Sequence, residues 1–254
     1  MNKSELRGGG SAFADLQNLI DITPDGGALN LYQNYAYEPG DNVITINKPI
    51  TINGQGHTLD GKSASSIFCI KGNPVTLKNI RFINANNIVT DYGGAIYLQG
   101  FNCQITSCTF IDNTAQHGGA VYWSGDNGAS NYCSFNNNNA KYYGGAVFWH
   151  GANGALSYSS FNNNNAKYYG GAVYWEGANG ALSYSSFNNN HAKKLGGAVC
   201  WNVNNGKLSG CLLLITMLIV IKVMLFIFIN QVRFIIVFLV FIVLKKQLLL
   251  MLKI

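Results

Sequence analysis

Acidic side chains are the first residues to consider for catalysis, because enzymes that hydrolyse glycosidic bonds place two carboxylates across the sugar. Between residues 91 and 206 the chain has only four of them, Asp91, Asp112, Asp126 and Glu176. They fall at different positions of the repeat described below, and Glu176 aligns with a histidine and an asparagine in the neighbouring copies. We therefore predict no carboxylate pair, no catalytic residue, no metal site and no cofactor, and we expect that the protein is not an enzyme.

Aromatic residues recur at fixed positions and are the candidate binding residues. Tyrosine pairs precede two Gly-Gly pairs, and another aromatic position follows a recurrent valine, so that strand alternation directs it outward. Exposed rings can stack on sugars, and the alternative is that they cover the coil and stack only on each other. The candidates are Tyr142, Tyr143, Tyr168, Tyr169, Tyr122, Phe148 and Tyr174. Partial burial is expected of the tryptophans Trp123, Trp149, Trp175 and Trp201.

Six cysteines occur without any C-x-x-C pair, which argues against zinc and thioredoxin-type sites. Cys108 and Cys133 hold equivalent positions in adjacent copies, so they either form a disulfide or stay as two buried thiols. We favour buried thiols, since free cysteine behaves as a small apolar residue.

The strongest pattern is a repeat of about 26 residues. The copies Phe135 to Ser160 and Phe161 to Ser186 differ only at Phe148/Tyr174 and His150/Glu176. Short β-prone runs such as "AVYW" and "ALSYSSF" alternate with "GG", "GANG" and "NNNN", which favour turns and left-handed backbone. A fixed period in this range indicates stacked units. We predict an all-β fold, a right-handed parallel β-helix with one coil per repeat.

Equivalent residues of stacked coils form ladders, about 4.8 Å apart. We expect inward ladders of phenylalanine, valine, leucine and a small residue, and asparagine side chains hydrogen-bonded from coil to coil. The predicted inward residues are Phe110, Phe135, Phe161 and Phe187; Val121, Val147, Val173 and Val199; Leu156 and Leu182; and Cys108, Cys133, Ser159 and Ser185.

The chain divides into four segments by composition. Residues 1–11 are expected to be disordered, 12–60 to form the N-terminal cap and first coil, and 61–210 to form the β-helix. The cap contains a short helix that Ser11 caps, with Phe13, Leu16, Leu19 and Ile20 on one side. The fourth segment, 211–254, is an apolar tail with 34 Leu, Ile, Val, Phe or Met among its 44 residues.

Two interpretations of the tail remain open. It approaches the length of a membrane span, but it has no Gly, Ala, Ser, Tyr, Trp, Pro, Asp or Glu, and it begins inside a repeat. We favour a frameshifted translation that is not native structure, in a truncated protein, and keep a membrane anchor as the alternative. Membrane contact is then expected only if the tail is genuine.

Net charge excludes one class of partner. The chain has 17 basic and 11 acidic residues, but five basic residues and no acidic ones lie in the tail, so residues 1–210 are nearly neutral. This balance predicts no basic surface of the kind that binds nucleic acid. The N-terminus "MNKSELRGGGSAFADL" shows no secretory signal.

A family resemblance rests on "ITINKPITINGQGHTLDG", "VTLKNIRFINAN" and the repeated "F-x-x-N-x-A…GGAVYW" over about residues 12–210. These motifs resemble the adhesin-like surface proteins of methanogenic archaea and are similar to the repeats of chlamydial polymorphic outer-membrane proteins. The resemblance implies an extracellular or cell-surface adhesin-like β-helix, with glycans or other cell surfaces as partners. The pectin-lyase-like fold also includes polysaccharide lyases and hydrolases, and this activity is the alternative function.

Overall fold

The computed structural model describes residues 11–203, 205–215, 226–228, 233–234 and 237–241. These residues form a parallel β-helix of about seven turns with one helix, Phe13–Ile22, at its N-terminal end. Every strand pair is parallel, and each sheet runs along the axis of the solenoid. The predicted all-β parallel β-helix is confirmed.

Four sheets form the faces, and three are named here after their inward ladders. The phenylalanine sheet consists of Ser11–Ala12, Tyr35–Ala36, Thr58–Asp60, Arg81–Ile83, Thr109–Ile111, Ser134–Asn136, Ser160–Asn162, Ser186–Asn188, Cys211–Ile215 and Val237–Phe241. The tryptophan sheet consists of Ile44–Ile46, Phe68–Ile70, Ile96–Leu98, Val121–Trp123, Val147–Trp149, Val173–Trp175, Val199–Trp201 and Phe226–Phe228. The leucine sheet consists of Ala28–Asn30, Ile50–Asn53, Val75–Lys78, Gln104–Thr106, Ala129–Asn131, Ala155–Ser157, Ala181–Ser183, Lys207–Ser209 and Arg233–Phe234. The corner sheet consists of Asn86–Tyr92, Thr114–His117, Asn139–Tyr143, Asn165–Ala166 and His191–Ala192.

The predicted inward ladders are confirmed. Neighbouring phenylalanine rings from Phe82 to Phe187 stack with centroids 4.7–4.9 Å apart and nearly parallel planes. The valine and leucine ladders are buried beside them, as is the small-residue column that begins with Cys108 and Cys133. Burial of this apolar surface is the main stabilising contribution, since removal of a large buried side chain costs about 3–5 kcal/mol.

The tryptophan column differs from the prediction, because all four side chains are fully buried and none is partly exposed. Their rings stack 4.3–4.7 Å apart, with planes within 10° of parallel. The space comes from a glycine in the following turn: a Cβ on Gly154 would lie 2.2 Å from Nε1 of Trp149. The "GANG" turn therefore lets the indole lie flat against the backbone.

Asparagine side chains link the coils, as the sequence predicts. Nδ2 of Asn113, Asn138 and Asn164 each donates to Oδ1 of the next asparagine in the series, at 2.9–3.0 Å. The series ends at Asn190, and each of the four amides also donates to a phenylalanine carbonyl of the preceding coil. The side-chain amides of this series are thereby satisfied, as buried polar groups usually are.

The Gly-Gly pairs form the corner between the corner sheet and the tryptophan sheet. Gly144 has φ +63°, and a Cβ on Gly145 would lie 2.0 Å from the carbonyl oxygen of Gly171 in the next coil. Two different restrictions therefore exclude a side chain here, a left-handed backbone at the first glycine and a close backbone approach at the second.

The N-terminal helix closes the first coil with Phe13, Leu16 and Ile20 buried. Ser11 is not its N-cap. Ser11 pairs with Tyr35 in the phenylalanine sheet, and Oδ2 and Oδ1 of Asp41 accept hydrogen bonds from the backbone N–H groups of Phe13 and Ala14 at 3.0 and 3.3 Å. A carboxylate from a distant loop thus supplies the cap that the sequence assigned to a local serine.

The described part of the apolar tail continues the sheets. Cys211–Ile215 pairs with Ser186–Asn188 in register, which sets Leu213 opposite Phe187, and Val237–Phe241 pairs with Cys211–Ile215. The frameshift interpretation and the segment boundaries remain predictions, and residues 1–10 and most of the tail lie outside the described residues. Within the described residues, no helix has the length and apolar character needed to cross a bilayer.

Candidate functional site

Four candidate tyrosines lie at the edge of the corner sheet, where the chain turns into the Gly-Gly pair. We call Tyr142, Tyr143, Tyr168 and Tyr169 the tyrosine corner. Tyr142 stacks on Tyr168 with centroids 5.8 Å apart, and Tyr143 stacks on Tyr169 at 5.2 Å. All four side chains are half-buried, so each retains solvent-facing surface. The sequence repeat therefore places equivalent rings side by side.

Lysines surround this corner. Nζ of Lys141 lies 5.2 Å from the ring centroid of Tyr142, and Nζ of Lys167 lies 5.2 Å from that of Tyr168. Lys194, from the next coil, approaches the Tyr168 ring at 4.6 Å. These cation–π distances hold three exposed ammonium groups next to aromatic surface. The corner consequently combines apolar faces with positive charge.

The other three candidates lie beneath this surface. Phe148 and Tyr174 point outward from the tryptophan sheet, but only 5% and 7% of their surfaces are exposed. With Cys200 they form a second apolar cluster, against which Tyr143 and Tyr122 pack, and Tyr122 is half-buried. The prediction that alternation exposes this column is therefore corrected for Phe148 and Tyr174, because the corner sheet folds over them.

Burial moves the ionisation of these phenols further above physiological pH. Desolvation raises the pKa of Tyr122 to about 12. Desolvation likewise raises the pKa of Tyr143 and that of Tyr174, which Glu176 raises further. A phenol is neutral at physiological pH even without such a shift, so the charged groups near these rings are the lysines and Glu176.

A hydrogen-bonded network joins three coils beside the cluster. Nδ1 of His150 lies 3.1 Å from Oε2 of Glu176, whose Oε1 accepts a hydrogen bond from the Tyr174 hydroxyl at 3.2 Å. Nδ2 of Asn202 donates to the same hydroxyl oxygen at 3.0 Å. The prediction concerned pairs of carboxylates, and it did not include the contact of Glu176 with a histidine, which forms because residues 26 apart are direct neighbours in this fold.

This network coincides with the positions at which the two near-identical repeats differ. His150 and Glu176 are paired, Tyr174 bonds to Glu176, and the rings of Phe148 and Tyr174 lie 5.0 Å apart. When Nδ1 of His150 donates to the carboxylate, its exposed Nε2 is free to accept a proton. The arrangement can therefore perform acid–base chemistry at the surface.

A third surface has no counterpart among the predicted sites. Tyr132, Tyr158 and Tyr184 lie at the corner between the leucine and phenylalanine sheets, and 51–61% of each side chain is exposed. Their φ angles are +47° to +56°, a left-handed conformation that costs an L-residue about 1–2 kcal/mol. The recurrent "SYSS" motif carries this signal, because a tyrosine occupies the turn where a small or amide side chain is expected.

No cysteine pair forms a disulfide within the described part of the chain. Cys108 and Cys133 are free thiols and almost fully buried, as expected. Burial raises the pKa of both thiols. The described residues also contain no cluster of histidine, cysteine and carboxylate side chains that could hold a metal ion.

Sequence comparison finds two short segments that match one family model. Residues 107–122 and 184–200 match the Chlamydia polymorphic membrane protein repeat. Each match runs from the turn before a phenylalanine strand through the asparagine and Gly-Gly positions to the tryptophan sheet. The predicted resemblance to chlamydial repeats is thus supported, whereas the resemblance to archaeal adhesin-like proteins stays a prediction. No curated protein matches the chain.

Structure comparison finds two solved structures that are similar to this chain. One is the alginate lyase AlyF-OU02 in complex with G6, with 14% identity, a TM-score of 0.58 and coverage of 84% of this chain and 52% of that one. The other is a tailspike mutant of E. coli bacteriophage HK620 in complex with a hexasaccharide, with 17% identity, a TM-score of 0.46 and coverage of 84% and 42%. This chain therefore spans about half the length of the solved structures that it matches.

The comparison with the lyase corrects one expectation. The alginate lyase shows that a protein with this fold can be an enzyme, and the network around His150 brings a histidine into contact with a carboxylate. The prediction that the protein is not an enzyme is therefore wrong, because this fold does not exclude catalysis. At 14% identity the similarity establishes the fold alone, and activity must be argued from the site.

Proposed function

We propose that this protein is a cell-surface β-helix that binds acidic glycan chains at the tyrosine corner and acts in adhesion. The observation that carries the proposal is the set of three lysine ammonium groups 4.6–5.2 Å from stacked tyrosine rings. A sugar ring can stack on exposed aromatic surface, while the ammonium groups neutralise its carboxylate or sulfate groups.

Two comparisons are consistent with this proposal. The matched repeat belongs to a family described as a membrane protein of Chlamydia, which supports a surface location. The alginate lyase has the same fold and was solved with G6 bound. Alginate is a polyanion, the class of ligand that the lysines of the tyrosine corner would attract.

Affinity electrophoresis of the full chain in gels containing alginate tests the proposal. We expect alginate to retard the protein, and the double variant Lys167→Gln/Lys194→Gln to abolish most of the retardation. Lys71→Gln/Lys207→Gln is the matched control, because both lysines are exposed and lie outside the tyrosine corner, and the same number of charges is removed. Equal retardation of the double variant and the control contradicts the proposal, as does the absence of retardation of the unmodified protein.

A second candidate function is cleavage of uronate-containing glycans, which the network around His150 favours. In a β-elimination, Nε2 of His150 removes the C5 proton, the electron pair forms the C4–C5 double bond and the C4–O bond breaks. The imidazolium then returns the proton to the departing oxygen. Glu176 holds the imidazole in the tautomer with Nε2 free, a positioning role that its 3.1 Å contact supports.

Ultraviolet absorbance of unsaturated products from alginate and pectate tests this candidate. We expect His150→Gln to reduce the rate by about 100-fold or more, the range found when a general base is removed. His191→Gln is the control, since His191 is also an exposed histidine of the same repeat array. Absence of product formation by the unmodified protein on both substrates rejects the candidate and leaves glycan binding unaffected.

A further inference from the structure

Tyr132, Tyr158 and Tyr184 form a row that we call the tyrosine track. Consecutive rings stack with centroids 5.1 Å apart and planes within 11° of parallel, so the track runs along the helix axis with one ring per coil. An open groove of about 520 Å³ lies beside it. We propose that the track is a second binding site, which takes an uncharged polysaccharide lying along the axis of the β-helix.

Backbone conformation shows that the fold does not require tyrosine here. The equivalent turn positions in other coils are occupied by Asn79, Ser107 and Gly210, which also have positive φ. Asparagine and glycine adopt the left-handed region far more readily than an aromatic residue. The three tyrosines are therefore unfavourable for the local backbone.

The exposure of the three rings shows that packing against the coil does not offset the cost of the left-handed backbone conformation. More than half of each tyrosine side chain faces solvent, although the rings stack on each other. The last ring, that of Tyr184, lies across the backbone of Gly210, where a Cβ would be 2.7 Å from its Cδ1. Strained residues that the fold does not need are typical of binding sites, and exposed aromatic surface marks such sites as well.

The chemistry of the groove identifies the ligand class. Beside the rings lie the hydroxyl side chains of Ser134, Ser160 and Ser186, one from each coil, and the described residues that line the groove include no charged side chain. Alternating apolar rings and hydroxyl groups match the apolar faces and hydroxyl groups of a pyranose chain. Because the pattern repeats at each coil, a ligand with a regular repeat gains a contact from every unit.

A second open groove lies toward the N-terminus along the same corner. It has a volume of about 370 Å³ and is lined by Asn79, Ser107, Thr109 and the charged Arg81, so the uncharged part of this corner is the groove beside the three rings. The corner therefore offers a linear path past the three rings, which suits a chain molecule better than a compact ligand. This site differs from the tyrosine corner in location and in charge, so it is independent of the proposed function.

Substitutions by a residue that accepts the left-handed conformation test the proposal. In the triple variant Tyr132→Asn/Tyr158→Asn/Tyr184→Asn the turn receives the residue found at position 79. The full chain is run by affinity electrophoresis in gels containing hydroxyethylcellulose, xylan, galactomannan or dextran, with alginate as the acidic comparison. Tm is measured by differential scanning fluorimetry on the same samples.

We expect at least one neutral polysaccharide to retard the unmodified protein, and Tyr158→Asn alone to weaken that binding about tenfold, roughly the contribution of one aromatic contact. The triple variant should lose the retardation while its Tm is unchanged or higher, and its retardation by alginate should persist. Phe101→Asn is the control, since Phe101 is an exposed aromatic residue that lies in neither proposed site and should leave binding to neutral polysaccharide unchanged.

Three results would overturn the proposal. The first is that none of the four neutral polysaccharides retards the unmodified protein. The second is that the triple variant has a lower Tm and unchanged retardation, which would make the tyrosines structural. The third is a dimer in sedimentation velocity that the triple variant abolishes, which would identify a second copy of the chain as the occupant.

Discussion

Nδ1 of His150 lies 3.1 Å from Oε2 of Glu176, directly after two neighbouring strands of the tryptophan sheet. The two residues hold the same position of consecutive repeats. The pair is partly exposed, so its contribution to stability is small. Each of these side chains is complementary to its neighbour and would not be complementary to a copy of itself.

Replacing the histidine with glutamate would make the two repeats alike at this position and place two carboxylates side by side. We expect His150→Glu to lower the free energy of unfolding by about 0.2–1 kcal/mol, as like charges on adjacent strands do. His150→Gln removes the charge contact without repulsion and is the control. Urea unfolding at low and high ionic strength checks this, since salt should reduce the difference; a deficit that does not respond to salt would contradict it.

The asparagine series should be essential because its amides are buried. Oδ1 of Asn164 accepts from the backbone N–H and Nδ2 of Asn138, and its Nδ2 donates to Asn190 and to the carbonyl of Phe135. We expect Asn164→Ala to cost at least about 2 kcal/mol, since several buried groups lose their partners. The exposed neighbour Asn165→Ala should cost about 0.5 kcal/mol or less. Chemical denaturation distinguishes them, and equal costs would refute the assignment.

The second glycine of a Gly-Gly pair lies against the backbone of the next coil. A Cβ on Gly145 would lie 2.0 Å from the carbonyl oxygen of Gly171. We expect Gly145→Ala to destabilise the protein by about 2 kcal/mol or more through overpacking. Thermal unfolding measures this cost, and a tolerated Gly145→Ala would show that the coils can separate.

The free energy of unfolding should decrease at high pH because Tyr35 ionises. Burial raises the pKa of Tyr35 to about 12, above its value of about 10 in the unfolded chain. Its contribution is therefore present below pH 10 and is lost as the pH rises through 12, by at most about 3 kcal/mol. Tyr35→Phe should lose less stability than the unmodified protein between pH 9 and pH 12. Urea midpoints across this range check the prediction, and identical slopes would contradict it.

The fold could be predicted from the sequence because its period is the coil itself. Phe135 and Phe161 are equivalent in the repeat and stack in the structure, so aligning the copies already gives the contacts. The same rule applies to His150 and Glu176, which align in the repeat and are adjacent in the structure. Aligned residues that differ between copies therefore also predict contacts, because they lie next to each other on adjacent coils.

The features that could not be predicted from the sequence depend on how the sheets pack against each other and on where the chain turns. Tyr174 is buried because the corner sheet covers it, and alternation along its own strand carries no information about that cover. Trp149 is buried because Gly154 leaves room for the indole. Tyr158 was overlooked as a binding residue because an aromatic residue is not expected at a left-handed turn.

The copies Phe135 to Ser160 and Phe161 to Ser186 are nearly identical. The molecule can therefore become longer or shorter by one whole coil at a time. Deleting residues 135–160 would join Ser134 to Phe161 and put Ser134 in the place of Ser160, with which it now pairs. Every inward ladder would remain continuous, and the axis would shorten by one coil, about 4.8 Å. Gain or loss of a single copy during replication would therefore change the reach of the protein without changing its interior.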